Sequence, residues 1–346
     1  MKKTIVKSKK TKVRDSNMEL LRIVAMILVM VVHADFRALG WPSTEDIGLN
    51  NMLPRFLVES FSIICVDTFV LLSGWYGIRF KWNRLGELFF QVLFFLLIGV
   101  GIWFLTVRNH QESYGILIRH LLLFGNWDYW FVKCYVLLYV FSPILNAFVE
   151  NCTKRQFLAV LVMFFVMQTY LGWITDGVKW YADGYSGISF MGLYLLSRFI
   201  RLHPNALIVE HKLWFYLFVY VALAVLNGLL AYYVFISGHI ALYKRLFYYI
   251  NPLVIIQAIA FLLFFSKLEF KSRIINWIAI SSFAIYLLHS SFAGELVYDG
   301  TISAIYKRYS HVSMVFLVTI FLVIVFVTSI LLDKLRLYFW KKLIIE

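Results

Sequence analysis

What the chain has little of decides most of its class. Only 15% of its residues are charged, against 62% hydrophobic, so no stretch is long and polar enough to fold as a water-soluble domain. The three cysteines, Cys65, Cys134 and Cys152, sit in or beside apolar segments without paired spacing. That supports neither a disulfide framework nor a zinc site and leaves them as packing residues, with no metal expected. Acidic residues are scarce as well, 19 against 33 Lys and Arg, for a formal net charge of +14. The basic excess requires no nucleic acid partner, because Lys and Arg collect on the cytoplasmic flanks of membrane helices. There is no convincing internal repeat and no strongly Gly/Pro-interrupted pair of apolar segments, the broken-helix signature of many transporters.

What is present is one apolar run after another. The composition is that of an all-α, polytopic membrane helical bundle, with spans expected near 17–36, 55–76, 85–107, 129–149, 156–175, 185–200, 213–236, 246–266, 274–293 and 311–332, about ten in all. The distribution of Lys and Arg favours both termini on the cytoplasmic side. The expected organisation is a basic cytoplasmic N-terminal segment over 1–16, a transmembrane domain over 17–332 and a basic cytoplasmic tail over 333–346. The segment MKKTIVKSKKTKVR is too polar for a signal peptide's core and reads as an uncleaved inner-leaflet anchor on membrane lipid. The implied location is the cell's inner (cytoplasmic) membrane, crossed many times.

The first span, NMELLRIVAMILVMVVHADF, carries Arg22 and His33 where lipid tolerates neither. At 100° per residue the two share one helix face, about 16 Å apart along the axis, and Glu19 lies one turn before Arg22 on that face. An Arg within a span costs on the order of 3 kcal/mol on insertion scales, so such a line of residues is expected to face inward, toward a partner or a protein-lined cavity.

A second block, CVDTFVLLSGWYGIRFKWNR, places Asp67 inside a span and three cations at its inner end. A buried Asp67 must be neutral, hydrated or matched, with Arg22 as one candidate partner; a structural helix-to-helix hydrogen bond is the alternative. Ser73 and Gly74 are small enough to let the chain turn or a ligand approach the backbone. Arg79, Lys81 and Arg84 suit either lipid headgroups or the phosphates of a nucleotide.

With these residues in view, ELLRIVAMILVMVVH resembles the first helix of the acyltransferase 3 family of integral-membrane O-acyltransferases, and VDTFVLLSGWYGI resembles its second. WDYWFVKCYVLLYVFSPIL, at 127–145, is similar to the family's aromatic helix ending in Ser/Thr-Pro. SSFAIYLLHSSF, at 281–292, is similar to its penultimate helix, with Tyr286 and His289 in place. The resemblance runs from about 14 to 332 in the right order. One departure concerns two Arg, spaced by two residues after the Ser-Gly turn, that the family uses in handling acyl-CoA. Here Lys81 and Arg84 hold that spacing, which keeps charge, loses bidentate geometry at the first position and leaves Arg79 as an alternative.

The resemblance implies transfer of an acyl group, most often acetyl, from cytoplasmic acyl-CoA, a donor substrate rather than a bound cofactor, to a hydroxyl of a cell-envelope carbohydrate or lipid-linked saccharide. On that basis His33 is the expected general base, with an imidazole suited to proton exchange near neutrality. Arg22 and the inner cations are expected at the donor's phosphates, and Glu19 or Asp67 orients Arg22 or His33. Ser73, Trp127, Trp130, Tyr286 and His289 are candidates for substrate contact, although Trp127, Tyr129 and Trp130 also fit an interfacial aromatic belt. Trp173, Trp180, Tyr181 and Tyr185 raise the same choice. The alternative function is a saccharide exporter or flippase, and separate polysaccharide-assembly proteins are expected partners in either case.

Overall fold

The computed structural model describes residues 15–49, 52–106, 118, 129–175, 178–205 and 209–345. Among them every regular element is helical. In chain order these are α1 (Ser16–Val32), α2 (Met52–Ser62), α3 (Cys65–Tyr76), α4 (Trp82–Thr106), α5 (Trp130–Asn151), α6 (Lys154–Met167) and α7 (Gly187–Leu202). The second half adds α8 (Leu213–Ile236), α9 (Ile240–Leu246), α10 (Pro252–Ser266), α11 (Arg273–Ala279), α12 (Phe283–His289), α13 (Phe292–Arg308) and α14 (His311–Ile345).

Six stretches of the described residues are long and apolar enough to cross a membrane: Met52–Tyr76, Trp82–Thr106, Trp130–Asn151, Lys154–Ile174, Leu213–Ile236 and Val312–Leu343. They match six of the expected spans. The other four differ for visible reasons. The first is α1 extended by a π-helical turn over His33–Arg37, and it carries charge at both ends. The 16-residue α7 and 15-residue α10 reach only about 24 and 22 Å at helical rise, short of the roughly 30 Å hydrocarbon core. The last, expected over 274–293, is broken into the seven-residue helices α11 and α12.

Helices α3 and α10 lie inside, and α4, α8 and α14 present their faces outward. On α10, Val254, Ala258 and Leu262 are fully buried, whereas Val312, Phe316 and Val323 of α14 and Leu93 and Leu97 of α4 are exposed. Lipid can solvate those apolar faces, so the exposed surface is where the hydrophobic residues are wanted. The centre of the bundle is α1, which packs on α3, α10, α11 and α12. Helix α3 crosses α7 closely at Gly74, where a Cβ would lie 2.5 Å from the Tyr194 carbonyl oxygen and 2.8 Å from Ser197 Cβ. Small residues give membrane helices such contacts because dispersion, not water exclusion, drives their association.

Two departures from the expected layout bear on the site. The segment near 294–310, expected as an outer loop, is α13, started by Ser291 accepting a hydrogen bond from Gly294 N at 3.2 Å. At the far end, α14 does not stop near 332. It continues through a buried cluster in which Gln91 Nε2 and Arg336 Nε donate to Asp333 Oδ1 at 2.8 and 2.7 Å.

Candidate active site

The α1 face that carries Arg22 turns inward, as its charges require, and ends beside α12. His33 opens the π-helical turn after α1, and His289 is the last residue of α12. Each is held by a tyrosine from a neighbouring element. Tyr298 of α13 donates to the Met30 carbonyl at 2.7 Å, and Tyr129 donates to the Leu287 carbonyl. The result brings His33 Nδ1 within 2.8 Å of His289 Nε2.

The direction of that hydrogen bond follows from its neighbours. His289 Nδ1 faces the Ile285 carbonyl, which accepts only, so Nδ1 carries a hydrogen. In a neutral His289, Nε2 is then the acceptor and His33 Nδ1 the donor. This fixes the tautomer of His33 and leaves the lone pair on its Nε2, which has no partner among the described residues. Arg37 lies one helical turn on, its Nη1 3.0 Å from the same His33 Nδ1 and 3.4 Å from Ser290 Oγ. One ring nitrogen cannot donate to His289 and accept from Arg37 together, so beside a neutral His289 the Arg37 guanidinium is a close cation rather than a donor to Nδ1. Arg37 is itself anchored by Asp299, with Nη2 2.9 Å and Nε 3.2 Å from Oδ1. Burial pushes the Asp299 carboxyl up from its ordinary range, against the opposing pull of Arg37.

Three adjoining cavities lie along this line. The first, about 210 Å³, is lined by Arg22, Phe69, Leu72, Ser73, Phe131 and Tyr135 among others. Phe69 and Phe131 also line a neck of about 20 Å³ bounded by Val66, His33, Trp130, Tyr249 and Tyr286. The last four of these line a vestibule of about 410 Å³, together with Arg37, Trp41, Glu59, Tyr185, Ser290 and Glu295. The neck has room for about one or two waters. Arg22 and His33 therefore stand at opposite sides of a constriction built from Phe69 and Phe131, whose ring centroids are 6.1 Å apart.

The remaining expected residues fall into two groups. Glu19 does meet Arg22, accepting from Nη1 at 2.8 Å. Ser73 shares the first cavity, its Oγ 3.4 Å from the Tyr135 hydroxyl, and Trp130 and Tyr286 line neck and vestibule. Asp67 pairs with neither Arg22 nor His33: it is fully buried, and neither carboxyl oxygen has a hydrogen-bond partner among the described residues. Arg22 is answered by Glu19 instead.

Arg79, Lys81 and Arg84 are exposed, outside the cavities described here. Tyr139, one turn past Tyr135 on α5, holds their loop by accepting from Lys81 N at 2.9 Å, so the cations sit just beyond the Arg22 cavity. Arg84 pairs with Glu87 at 3.1 Å. Trp127 lies outside the described residues. Trp173 is engaged with the Arg245 carbonyl and Trp180 is exposed, whereas Tyr185 joins the vestibule.

Sequence reasoning missed Arg37, Asp299 and Glu59. Arg37 had a signal, being four residues after His33 on the same helical face. Asp299 and Glu59 had none, since only the tertiary fold brings α13 and α2 to the end of α1.

A sequence model of the family described as an acyltransferase domain matches residues 15–334, nearly the whole chain. The chain belongs to the acyltransferase 3 family. Comparison with curated proteins and with solved structures gave no match. An acyltransferase 3 protein with six stretches fit to span a membrane is a multi-pass membrane acyltransferase, and His33 of its imidazole pair lines both neck and vestibule.

Proposed function

We propose that the protein is an O-acyltransferase, most simply an O-acetyltransferase, that moves an acyl group from cytoplasmic acyl-CoA to a hydroxyl of a cell-envelope carbohydrate or lipid-linked saccharide. The observation that carries this reading is the His33 and His289 pair, set where the neck opens into the vestibule. In the proposal the donor's phosphates stay with Arg79, Lys81 and Arg84, and its pantetheine arm passes Arg22 and Ser73. The thioester reaches the neck, and the acceptor hydroxyl arrives from the vestibule.

The chemistry then divides among the residues present. The acceptor oxygen attacks the thioester carbonyl while His33 Nε2 takes its proton, the ring being oriented through Nδ1 by His289. Collapse of the tetrahedral intermediate breaks the C–S bond, and the proton held by His33 is the one available to the leaving thiolate. The cation of Arg37 lies beside the ring, where it favours charge developing on the carbonyl oxygen. Once Nε2 has taken that proton His33 is an imidazolium, whose Nδ1–H stays on His289 Nε2 while the Nε2–H is the one returned to the thiolate.

Export of a saccharide is the weaker alternative, since a neck of about 20 Å³ is far tighter than a sugar ring. The deciding experiment compares surface glycans by mass spectrometry in cells with the native gene, with His33→Ala and with none. Loss of an acyl mass at constant glycan amount is expected. Loss of the glycan itself, with precursor accumulating inside, refutes acyl transfer in favour of export.

A further inference from the structure

The vestibule contains a group that the acyl-transfer chemistry does not use. Glu59, on α2, is 1% exposed and lines the cavity, yet its buried Oε2 has no hydrogen-bond partner among the described residues. A buried carboxyl left this way costs free energy that a ligand's donors can relieve. The nearby cations are hydrogen-bonded to other carboxylates: Arg55 Nε binds Asp35 Oδ1 at 2.6 Å, and Arg37 binds Asp299. Next to Glu59 stands an aromatic wall. The Trp130 ring centroid is 4.3 Å from that of Tyr185 and 6.0 Å from that of Tyr249, the latter pair nearly parallel.

We propose that this vestibule prefers a saccharide that carries an amino group, with Glu59 receiving the ammonium of a ring packed on Trp130, Tyr185 and Tyr249. Aromatic faces bind the apolar face of a sugar whether or not it carries an amino group, so they supply affinity without this selectivity. The carboxyl supplies the selectivity. A buried carboxyl without a partner is costly as an anion, and an ammonium is the partner that offsets that cost. The inference rests on the acyl-transfer reading only in taking the ligand to be a saccharide.

The test is binding by saturation-transfer NMR to the full-length protein in nanodiscs, with two probes of matched length: chitotriose and its fully de-N-acetylated form. Wild type is expected to bind the amino form at least about tenfold more tightly, and Glu59→Gln to remove most of that difference. Equal or weaker binding of the amino form by wild type overturns the proposal, as does an unchanged preference in a folded Glu59→Gln protein. Should that variant not fold, the wild-type comparison decides by the same criterion. Preference for the amino form without acyl transfer to any glycan would refute the acyl-transfer reading alone; acyl transfer without that preference would refute this inference alone.

Discussion

His33 Nδ1 and His289 Nε2 are 2.8 Å apart although the residues are 256 positions apart in the chain. The second ring is tied to the Ile285 carbonyl, so the pair has a direction, and His33 is left with one lone pair facing the junction of two cavities.

From this follows a graded pair of losses. His33→Ala is expected to lower acyl transfer by about a hundred- to ten-thousandfold, the range for removing a general base. His289→Gln keeps a hydrogen-bonding partner for Nδ1 and is expected to cost much less, roughly tenfold. Initial rates with radiolabelled acetyl-CoA in proteoliposomes measure both. Equal losses in the two variants would remove the distinction between base and orienting residue.

Asp299 gives the reaction an acid limb. Its carboxyl is raised by burial, so the ion pair with Arg37 is complete above that raised value and is lost as pH falls through it. Wild-type rates are therefore expected to fall on the acid side earlier than an ordinary aspartate would dictate. Asp299→Asn should show a lower plateau at neutral pH and lack that component of the acid limb. A pH–rate profile of the two proteins provides the comparison.

The neck should be more sensitive to volume than to polarity. Val66 is buried within its lining, and Val66→Trp would fill a space of about 20 Å³. Transfer is expected to stop while saccharide binding in the vestibule persists, because the obstruction lies between the two. Loss of saccharide binding in a folded variant would place the neck inside the acceptor site instead.

The loop cations should act together. Arg84 is highly exposed and already paired with Glu87, with side-chain exposures of 68% and 27%, and exposed pairs contribute little. Arg84→Ala alone is expected to change the KM for acyl-CoA by less than about threefold. Replacing Arg79, Lys81 and Arg84 together by Gln should raise it by about tenfold or more with kcat nearly kept, and the wild-type KM should rise with salt. A KM indifferent to the triple change would move the phosphate site elsewhere.

How much of this was legible before folding depends on the range of the contacts. The face shared by Glu19, Arg22 and His33 is a matter of helical period, and so is the pair that Arg22 makes with Glu19 one turn away. Tyr286 and His289 carried a local motif; Tyr286 lines neck and vestibule, and His289 lies behind His33, hydrogen-bonded to it. Asp67 was a candidate partner for Arg22 on chemistry alone, but the rotation of α3 against α1 decides such pairings and no local pattern encodes it. Glu59 and Asp299 resembled ordinary polar residues at the margins of apolar runs. Their importance arises from α2 and α13 folding back onto α1. The broken span at α11 and α12 was hidden because Ser281 and Ser282 are unremarkable in a membrane helix until their neighbours turn.

The closed neck between Phe69 and Phe131 also has a bioenergetic meaning. A membrane protein with a proton-accepting imidazole between two cavities is one short water file from being a proton leak. Here Phe69, Phe131 and Val66 close around a space that holds hardly more than a water and interrupt that file. In the proposed reaction the donor chain that opens this passage is also what fills it, so the idle and the loaded protein both keep the proton gradient.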